Sequence, residues 1–211
     1  MHEPDVVVVA SGPGPAVTLP TVPIVVAADG GLDRALGLGL DVDVVVGDLD
    51  SVSSGSLEAA EAAGARIVRH PAAKEATDLE LALDEAVALG AGRVLVVASA
   101  KGRLDHLLSS LLLLGAARYA GLEIDALLGD ALVHVVRSKR TIRGAPGELV
   151  TLLAVGGPAE GVTTEGLAYP LAGERLDAGS SRGVSNVFEA TTAHVTVARG
   201  VLLAILPGSA A

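Results

Sequence analysis

The stretch Val42-Asp43-Val44-Val45-Val46-Gly47-Asp48-Leu49-Asp50-Ser51 decides the fold class of this chain. Its first half is rich in β-branched valine and has the length of a short buried strand, and its second half is a turn that carries two carboxylates. Near-continuous apolarity indicates that both faces of the strand are covered, as in a parallel sheet between layers of helices. Ligands bind beyond the carboxyl ends of the strands in such sheets, so the turn marks the expected position of a site.

Similar apolar runs recur on both sides of this stretch and alternate with helical patterns. They predict further strands at Val6–Ala10, Ile24–Ala28, Ala65–Val68, Val94–Ala98 and Ile124–Leu128. Helical periodicity predicts helices at Leu32–Leu38, Ser56–Ala63, Asp78–Leu89 and Leu104–Ala120. This alternation predicts an α/β fold with a doubly wound, mostly parallel sheet and flanking helices.

The pattern changes beyond Arg137, where no helical stripe is longer than one turn. Strands are predicted at Gly147–Val155, Val162–Thr164, Ala193–Arg199 and Val201–Leu206. We therefore expect an α/β domain over residues 1–137 and a smaller all-β, sandwich-like domain over residues 138–211, joined near Ser138–Gly144.

Composition and charge exclude several classes of protein. Half of the 211 residues are hydrophobic, which excludes a disordered chain, and a net charge of −10 argues against a nucleic-acid partner. No apolar run approaches the ~20 residues that span a bilayer, and Met1-His2-Glu3-Pro4-Asp5 lacks the basic region of a signal peptide. The absence of cysteine excludes disulfides and thiolate zinc sites. We expect a cytoplasmic protein that uses a metal or a locally positive pocket if it binds an anion.

Polar residues follow several of the predicted strands and meet at one edge of the predicted sheet. Asp29-Gly30-Gly31 follows one strand, and Asp48 and Asp50 follow the next. Two carboxylates at this spacing can share a Mg²⁺ ion, which favours one or two carboxylates together with water and phosphate oxygens. The alternative is an ordinary turn in which the aspartates bond their own backbone.

Two further segments combine a structural and a functional interpretation. Thr77-Asp78-Leu79-Glu80 fits a capping box, and a helix N-terminus of this kind also binds phosphate. Lys101-Gly102-Arg103 lies between a strand and a helix, where its cations and backbone amides can hold phosphate oxygens. Asp105 could instead cap that helix, and His106 could be an ordinary surface histidine.

Taken in order along the chain, six motifs resemble the thiamine pyrophosphokinase (thiamine diphosphokinase) family. They are Ala28-Asp29-Gly30-Gly31, Gly47-Asp48-Leu49-Asp50-Ser51, Lys74-x-x-Thr77-Asp78, Gly102-Arg103-x-Asp105-His106, Gly166-Leu167-x-Tyr169-Pro170-Leu171 and Gly183-Val184-Ser185-Asn186. The resemblance implies a catalytic α/β domain, a thiamine-binding β-sandwich, and a homodimer whose active sites are shared between subunits. It also implies transfer of a pyrophosphoryl group from ATP to the hydroxyl of thiamine with Mg²⁺, leaving AMP.

The resemblance also implies roles for individual residues. Asp48, Asp50 and Asp78 would hold the metal, and Asp78, Arg103 and Asp105 would be catalytic. Ser185 and Asn186 would bind thiamine. The nucleotide would be bound by Asp29, Gly30, Gly31, Lys74, Thr77, Lys101, Gly102, Arg103 and His106. The aromatic residues that could stack on thiamine are limited to Tyr119, Tyr169 and Phe188, because the chain has no others.

Two other functions fit parts of the sequence. Asp48 after an apolar strand could be the nucleophile of a haloacid-dehalogenase-like phosphatase, although that interpretation leaves the β domain unexplained. A non-catalytic module that binds a nucleotide or thiamine diphosphate is the other alternative.

Overall fold

The computed structural model describes residues 3–13, 24–73 and 75–208, which form two compact units. The α/β unit contains the described residues up to Ser110 together with Gly121–Asp130. The β unit contains Leu111–Ala120 and residues 131–208. The domain boundary expected between residues 137 and 138 stays a prediction.

Among the residues that the structure describes, six parallel strands form the sheet of the α/β unit, in the order β6-β5-β1-β2-β3-β4. This arrangement confirms the doubly wound sheet. β1 and the other central strands are buried because they are rich in valine and alanine. The strands are β1 (Val6–Ala10), β2 (Val25–Ala28), β3 (Val44–Gly47), β4 (Arg66–Arg69), β5 (Arg93–Ala98) and β6 (Glu123–Leu128).

Four α-helices accompany the strands in the described part of the chain, and the sequence predicts each of them. They are α1 (Gly31–Gly37), α2 (Ser54–Ala62), α3 (Asp78–Ala88) and α4 (Leu104–Leu114). α3 buries the stripe that its periodicity predicted, namely Leu79, Ala82, Leu83 and Ala86. No helix in the described ranges combines the length and apolarity that a membrane crossing requires.

α4 ends at Leu114 and does not continue to Ala120 as its apolar pattern predicted. The Arg137 guanidinium donates hydrogen bonds to the carbonyl oxygens of Leu114, Gly115 and Ala116 at 3.1, 3.2 and 3.0 Å. These bonds satisfy carbonyls that have no partner within the helix, and a cation at this end also favours the helix dipole. The end of α4 could not be predicted from the local sequence, because the residue that caps it lies more than twenty positions downstream.

The β unit is all-β apart from the segment that ends α4, as expected, and its strands pair in two antiparallel groups. One group has the order β12-β9-β14-β7 and the other the order β11-β10-β13-β8. The strands are β7 (Ala131–Val136), β8 (Lys139–Arg143), β9 (Leu149–Ala154), β10 (Ala159–Glu165), β11 (Ala172–Leu176), β12 (Asn186–Val187), β13 (Thr192–Thr196) and β14 (Leu202–Leu206).

The segment Ser138–Gly144, near which the two domains were expected to join, is largely strand β8. Arg140 and Ile142 face inward while the alternate residues are exposed. Its charged residues concealed the period-two pattern, because a strand that is half solvated reads as a polar linker. Ile142 joins Val150, Leu152 and Phe188 in the buried core of the unit.

Candidate functional site

Three carboxylates meet where β2 and β3 end. Asp29, Asp48 and Asp50 each offer an oxygen within 4.8 Å of the others, and we call these residues the acidic cluster. The strands are adjacent and parallel, with Ala28 paired to Val46, so the residues that follow them come out side by side. Neighbouring strands of the sheet thus deliver the two motifs that the sequence placed at strand ends.

Asp29 is the buried member of the acidic cluster. Its side chain is 6% exposed, and its Oδ1 is buried without a hydrogen-bond partner. Its backbone is fixed in the left-handed region, with φ 48°, and its N–H donates to the Val46 carbonyl at 2.8 Å. A buried carboxylate oxygen without a donor is costly, and a bound cation would remove that cost.

Gly47 allows a fourth carboxylate, that of Asp78, to approach the cluster. A methyl group at Gly47 would lie 2.9 Å from Asp78 Oδ1 and 3.0 Å from Asp29 Cβ, so only hydrogen fits between them. The φ of +147° at this position also favours glycine. The three carboxylates of the acidic cluster, with Asp78 Oδ1 close to Gly47, are oxygen donors of the kind that suits Mg²⁺.

Leu49 separates the two aspartates of the turn and anchors it. Its φ of 65° places a non-glycine residue in the left-handed region, at a cost on the order of 1–2 kcal/mol. Its side chain is buried against Ala27, Leu32 and Val45, which offsets that strain. The turn bond from Asp50 N–H to Asp48 Oδ1 is long, at 3.4 Å, so local hydrogen bonding alone explains little of this arrangement.

Backbone strain in the described part of the chain coincides with the predicted motifs. Its non-glycine residues with positive φ are Asp29, Leu49 and Ser185. Each lies in a segment that the sequence singled out for function. Strained backbone of this kind clusters at binding and catalytic sites, where the surrounding structure holds it in place.

The loops after neighbouring strands touch along one edge of the α/β sheet. A methyl group at Gly30 would lie 3.2 Å from Ser11 Cβ and 3.4 Å from Ser51 Cβ, and one at Gly12 would lie 2.8 Å from Ser99 Cβ. The loop that carries Lys101, Gly102 and Arg103 therefore shares this edge with the acidic cluster.

Arg103 and Asp105 bind each other at the start of α4. The guanidinium donates from Nε at 3.2 Å and from Nη2 at 2.6 Å to the two carboxylate oxygens. The hydrogen bond from Arg103 is the main reason that the pKa of Asp105 falls to about 2. A carboxylate whose pKa lies so far below neutrality has little affinity for a proton and is a poor general base, so Asp105 is better suited to orienting the guanidinium. Both side chains are exposed, as is His106.

Other residues predicted to bind the nucleotide have a structural role. A methyl group at Gly31 would lie 2.0 Å from the Val9 carbonyl oxygen, so glycine is needed where α1 passes β1. Thr77 is the N-cap of α3, and its Oγ1 accepts from Glu80 N–H at 3.2 Å. Lys74 lies outside the described residues.

Thr77→Ala is expected to lower the free energy of unfolding by ~1 kcal/mol, because an N-cap side chain contributes about that much. Urea unfolding followed by circular dichroism measures this loss. Thr77→Ser retains the hydroxyl and serves as the matched control. A Thr77→Ala variant as stable as the wild type would show that the cap contributes nothing.

Comparison with known families decides the relationship of the chain. The family model "Thiamin pyrophosphokinase, catalytic domain" matches residues 18–126 of the chain. A second family model, "Thiamin pyrophosphokinase, vitamin B1 binding domain", matches residues 133–202. The chain belongs to the thiamin pyrophosphokinase family. The matches account for the β segment that the haloacid-dehalogenase-like alternative left unexplained, and they give that alternative no support.

Individual relatives agree with the thiamin pyrophosphokinase match. Thiamine pyrophosphokinase 1 of Oryza sativa subsp. japonica is 26% identical over 168 residues, which cover 73% of this chain and 62% of that protein. The chain thus spans less than two thirds of the length of this relative. The thiamine pyrophosphokinase structure from Bacillus subtilis has a TM-score of 0.82 at 22% identity, with 96% of this chain and 98% of that chain covered. The Enterococcus faecalis family protein has a TM-score of 0.82 at 24% identity, with the same coverage.

Asn186 lies in the segment that matches the vitamin B1 binding domain of the thiamin pyrophosphokinase family, but its amide is largely engaged within the β unit. Its Oδ1 accepts from the N–H groups of Tyr169 and Val187 at 3.0 and 2.9 Å, and its Nδ2 donates to the Tyr169 carbonyl at 2.7 Å. Asn186 is 3% exposed. These bonds use both oxygen lone pairs and one N–H, so the side chain mainly holds the Tyr169 backbone.

Proposed function

We propose that the chain transfers a pyrophosphoryl group from ATP to the hydroxyl of thiamine, giving thiamine diphosphate and AMP. The observation that carries this proposal is the acidic cluster with its orphaned Asp29 oxygen, at a sheet edge inside the segment that matches the catalytic domain. A protein with a net charge of −10 needs a cation to bind a polyphosphate at such a place. We assign ATP and Mg²⁺ binding to residues 1–137 and thiamine binding to residues 138–211.

Asp29, Asp48, Asp50 and Asp78 are the residues that would hold Mg²⁺ in this proposal. The ion would supply positive charge to the phosphate oxygens as negative charge builds up during transfer. The protein's contribution is to fix these carboxylates before the substrate arrives, through the strained backbone of Asp29 and the anchored turn at Leu49.

The loop before α4 is assigned to the ATP phosphates. Lys101 and Arg103 supply cations, and the Ser99 hydroxyl fixes the loop by accepting from Lys101 N–H at 3.0 Å. Asp105 holds the guanidinium of Arg103 in a bidentate pair, which leaves one terminal nitrogen, Nη1, for a phosphate oxygen. Asp105 thus acts by orienting Arg103 in this proposal.

Tyr169 is the aromatic residue that we assign to stacking on thiamine. Tyr119 and Phe188 are each 1% exposed, whereas Tyr169 is 60% exposed, so it alone among the three aromatic residues can meet a ligand. Its backbone is held by Asn186, and Ser185 lies beside Asn186 in the strained turn. Thiamine carries a positive ring, which an aromatic face attracts.

Tyr169→Ala is expected to raise KM for thiamine by about tenfold with little change in KM for ATP, because stacking of a ring is worth ~1–3 kcal/mol. Steady-state kinetics with each substrate varied in turn measures the two constants. Tyr169→Phe keeps the ring and is the control. Equal effects on the two KM values would remove Tyr169 from the thiamine site.

A second copy of this chain is the partner that we propose, with active sites shared between the subunits. Leu104, Leu108 and Leu112 form an exposed apolar stripe along α4, at 77%, 54% and 51% exposure. The stripe lies on the helix that begins directly after Arg103, so a copy packed on it would adjoin the assigned phosphate loop.

The negative charge of the chain supports the proposal that no nucleic acid is bound. Because the reaction consumes ATP, we assign the protein to the cytoplasm.

One assay tests the proposed reaction against both alternatives. Purified protein is incubated with ATP, Mg²⁺ and thiamine, and the products are separated by chromatography. Formation of AMP and thiamine diphosphate in equal amounts supports the proposal. Release of inorganic phosphate would indicate a phosphatase, and the absence of turnover would indicate a binding module.

A further inference from the structure

We propose that Asp33 is a positioning residue for the acidic cluster, because it joins the two segments that carry the cluster's carboxylates. Asp33 lies in the first turn of α1, four residues after Asp29. Its partner Ser53 follows the turn that contains Asp48 and Asp50, and is the N-cap of α2. The inference rests on the proposed function in one respect, namely that the acidic cluster binds a divalent cation.

The contact between Asp33 and Ser53 consists of two hydrogen bonds. The Ser53 backbone N–H donates to Asp33 Oδ2 at 3.1 Å, and the Ser53 hydroxyl donates to Asp33 Oδ1 at 2.8 Å. Ser56 adjoins them, with its N–H donating to Ser53 Oγ at 3.3 Å. Hydrogen bonding from the Ser56 hydroxyl, and then from that of Ser53, lowers the pKa of Asp33, so its carboxylate is ionised when it accepts.

The contact between Asp33 and Ser53 opposes electrostatic repulsion among the carboxylates of the acidic cluster. Asp29 stands on the segment after β2, whereas Asp48 and Asp50 stand on the segment after β3, and their oxygens lie within 4.8 Å. Without a cation, like charges at that distance push the two segments apart. The bonds from Ser53 to the Asp33 carboxylate oppose this movement, and bonds to an ionised acceptor are about twice as strong as neutral ones. Asp33 therefore keeps the cluster preformed for a divalent cation.

Asp5 offers a matched control elsewhere in the α/β unit. Its Oδ2 accepts from the N–H groups of Gly92 and Arg93 at 2.9 and 2.8 Å, and these bonds, that from Arg93 first, lower its pKa. It lies directly before β1, at the amino ends of the strands and therefore at the edge opposite the acidic cluster. Asp5→Asn thus weakens a comparable pair of hydrogen bonds without touching the segments that carry the cluster.

The experiment measures Mn²⁺ binding to the full chain without nucleotide, from the electron paramagnetic resonance signal of free Mn²⁺. Asp33→Asn is expected to raise the Kd for Mn²⁺ by about fivefold, as the loss of part of a charge-assisted contact implies. Asp5→Asn is expected to leave the Kd unchanged. Urea unfolding is measured in parallel, and both variants are expected to lose similar stability.

Variants of Ser53 provide the second arm and replace the first if Asp33→Asn does not fold. Ser53→Ala is expected to weaken Mn²⁺ binding, whereas Ser53→Thr keeps the hydroxyl and restores it. The role of Asp33 would be overturned if Asp33→Asn had the same Kd for Mn²⁺ as the wild type, or if Asp5→Asn raised that Kd equally. Neither outcome would contradict the proposed reaction. A wild-type chain that forms AMP yet binds no Mn²⁺ would overturn both the assigned metal residues and this proposal.

Discussion

Asp48→Asn and Asp50→Asn are each expected to lower kcat by about a thousandfold, since several kcal/mol of charge stabilisation correspond to that factor. Asparagine has the size of aspartate and keeps an Oδ1 acceptor, and the buried Leu49 side chain that anchors the turn is unchanged, so the turn retains its shape. What disappears is the negative charge that a hard divalent cation requires. Initial rates at increasing Mg²⁺ measure the loss.

These two variants should lose activity without losing thermal stability. Each substitution removes one charge from a group of carboxylates whose oxygens lie within 4.8 Å of one another. Repulsion in the metal-free protein then falls, so the melting temperature in EDTA should equal or exceed that of the wild type. Asp41→Asn, an exposed position before β3, is the control for loss of charge alone. A near wild-type rate at saturating Mg²⁺ would remove the substituted aspartate from the site.

Activity is expected to return when an Asp48→Asn chain and an Asn186→Ala chain, each nearly inactive alone, are mixed and allowed to exchange subunits. Asn186→Ala releases the Tyr169 backbone, since three hydrogen bonds depend on the amide. If each site takes one part from each subunit, random mixing restores at most about a quarter of the sites. The measured quantity is AMP formed per site as a function of mixing ratio.

Subunit exchange must be established independently for this result to have meaning. Two differently labelled wild-type populations, followed by fluorescence energy transfer, provide that control. Exchange without recovery of activity would place both parts of the site in one chain and overturn the shared-site proposal.

The sequence predicted the α/β unit well because its information is local. Runs such as Val6–Ala10 and the stripe of α3 each reveal their own burial, and the residues after each strand can be read directly. The turn with Asp48 and Asp50 could be singled out for the same reason. That Asp29 joins these two aspartates follows from β2 and β3 being neighbours, which the sequence does not state.

Features that depend on distant partners could not be predicted. Asp33 looks like a favourable first-turn carboxylate, and only the structure shows that it accepts from Ser53, twenty residues away. Asn186 resembles a ligand-binding amide in a turn until its three bonds to Tyr169 and Val187 are seen. In both cases a polar side chain that could serve a ligand is used to hold the backbone.

The cap that Arg137 places on α4 has a consequence for the order of events during synthesis. Leu114 leaves the peptidyl-transferase centre 23 residues before Arg137, which is a delay of about 1–5 s at ordinary elongation rates. Throughout that interval the last carbonyls of the helix lack their guanidinium donors, and the final turn is free to fray. Nascent chains stalled with Leu114 outside the ribosome and Arg137 still in the exit tunnel should therefore be cleaved by protease near Leu114, whereas chains stalled after Arg137 has emerged should resist.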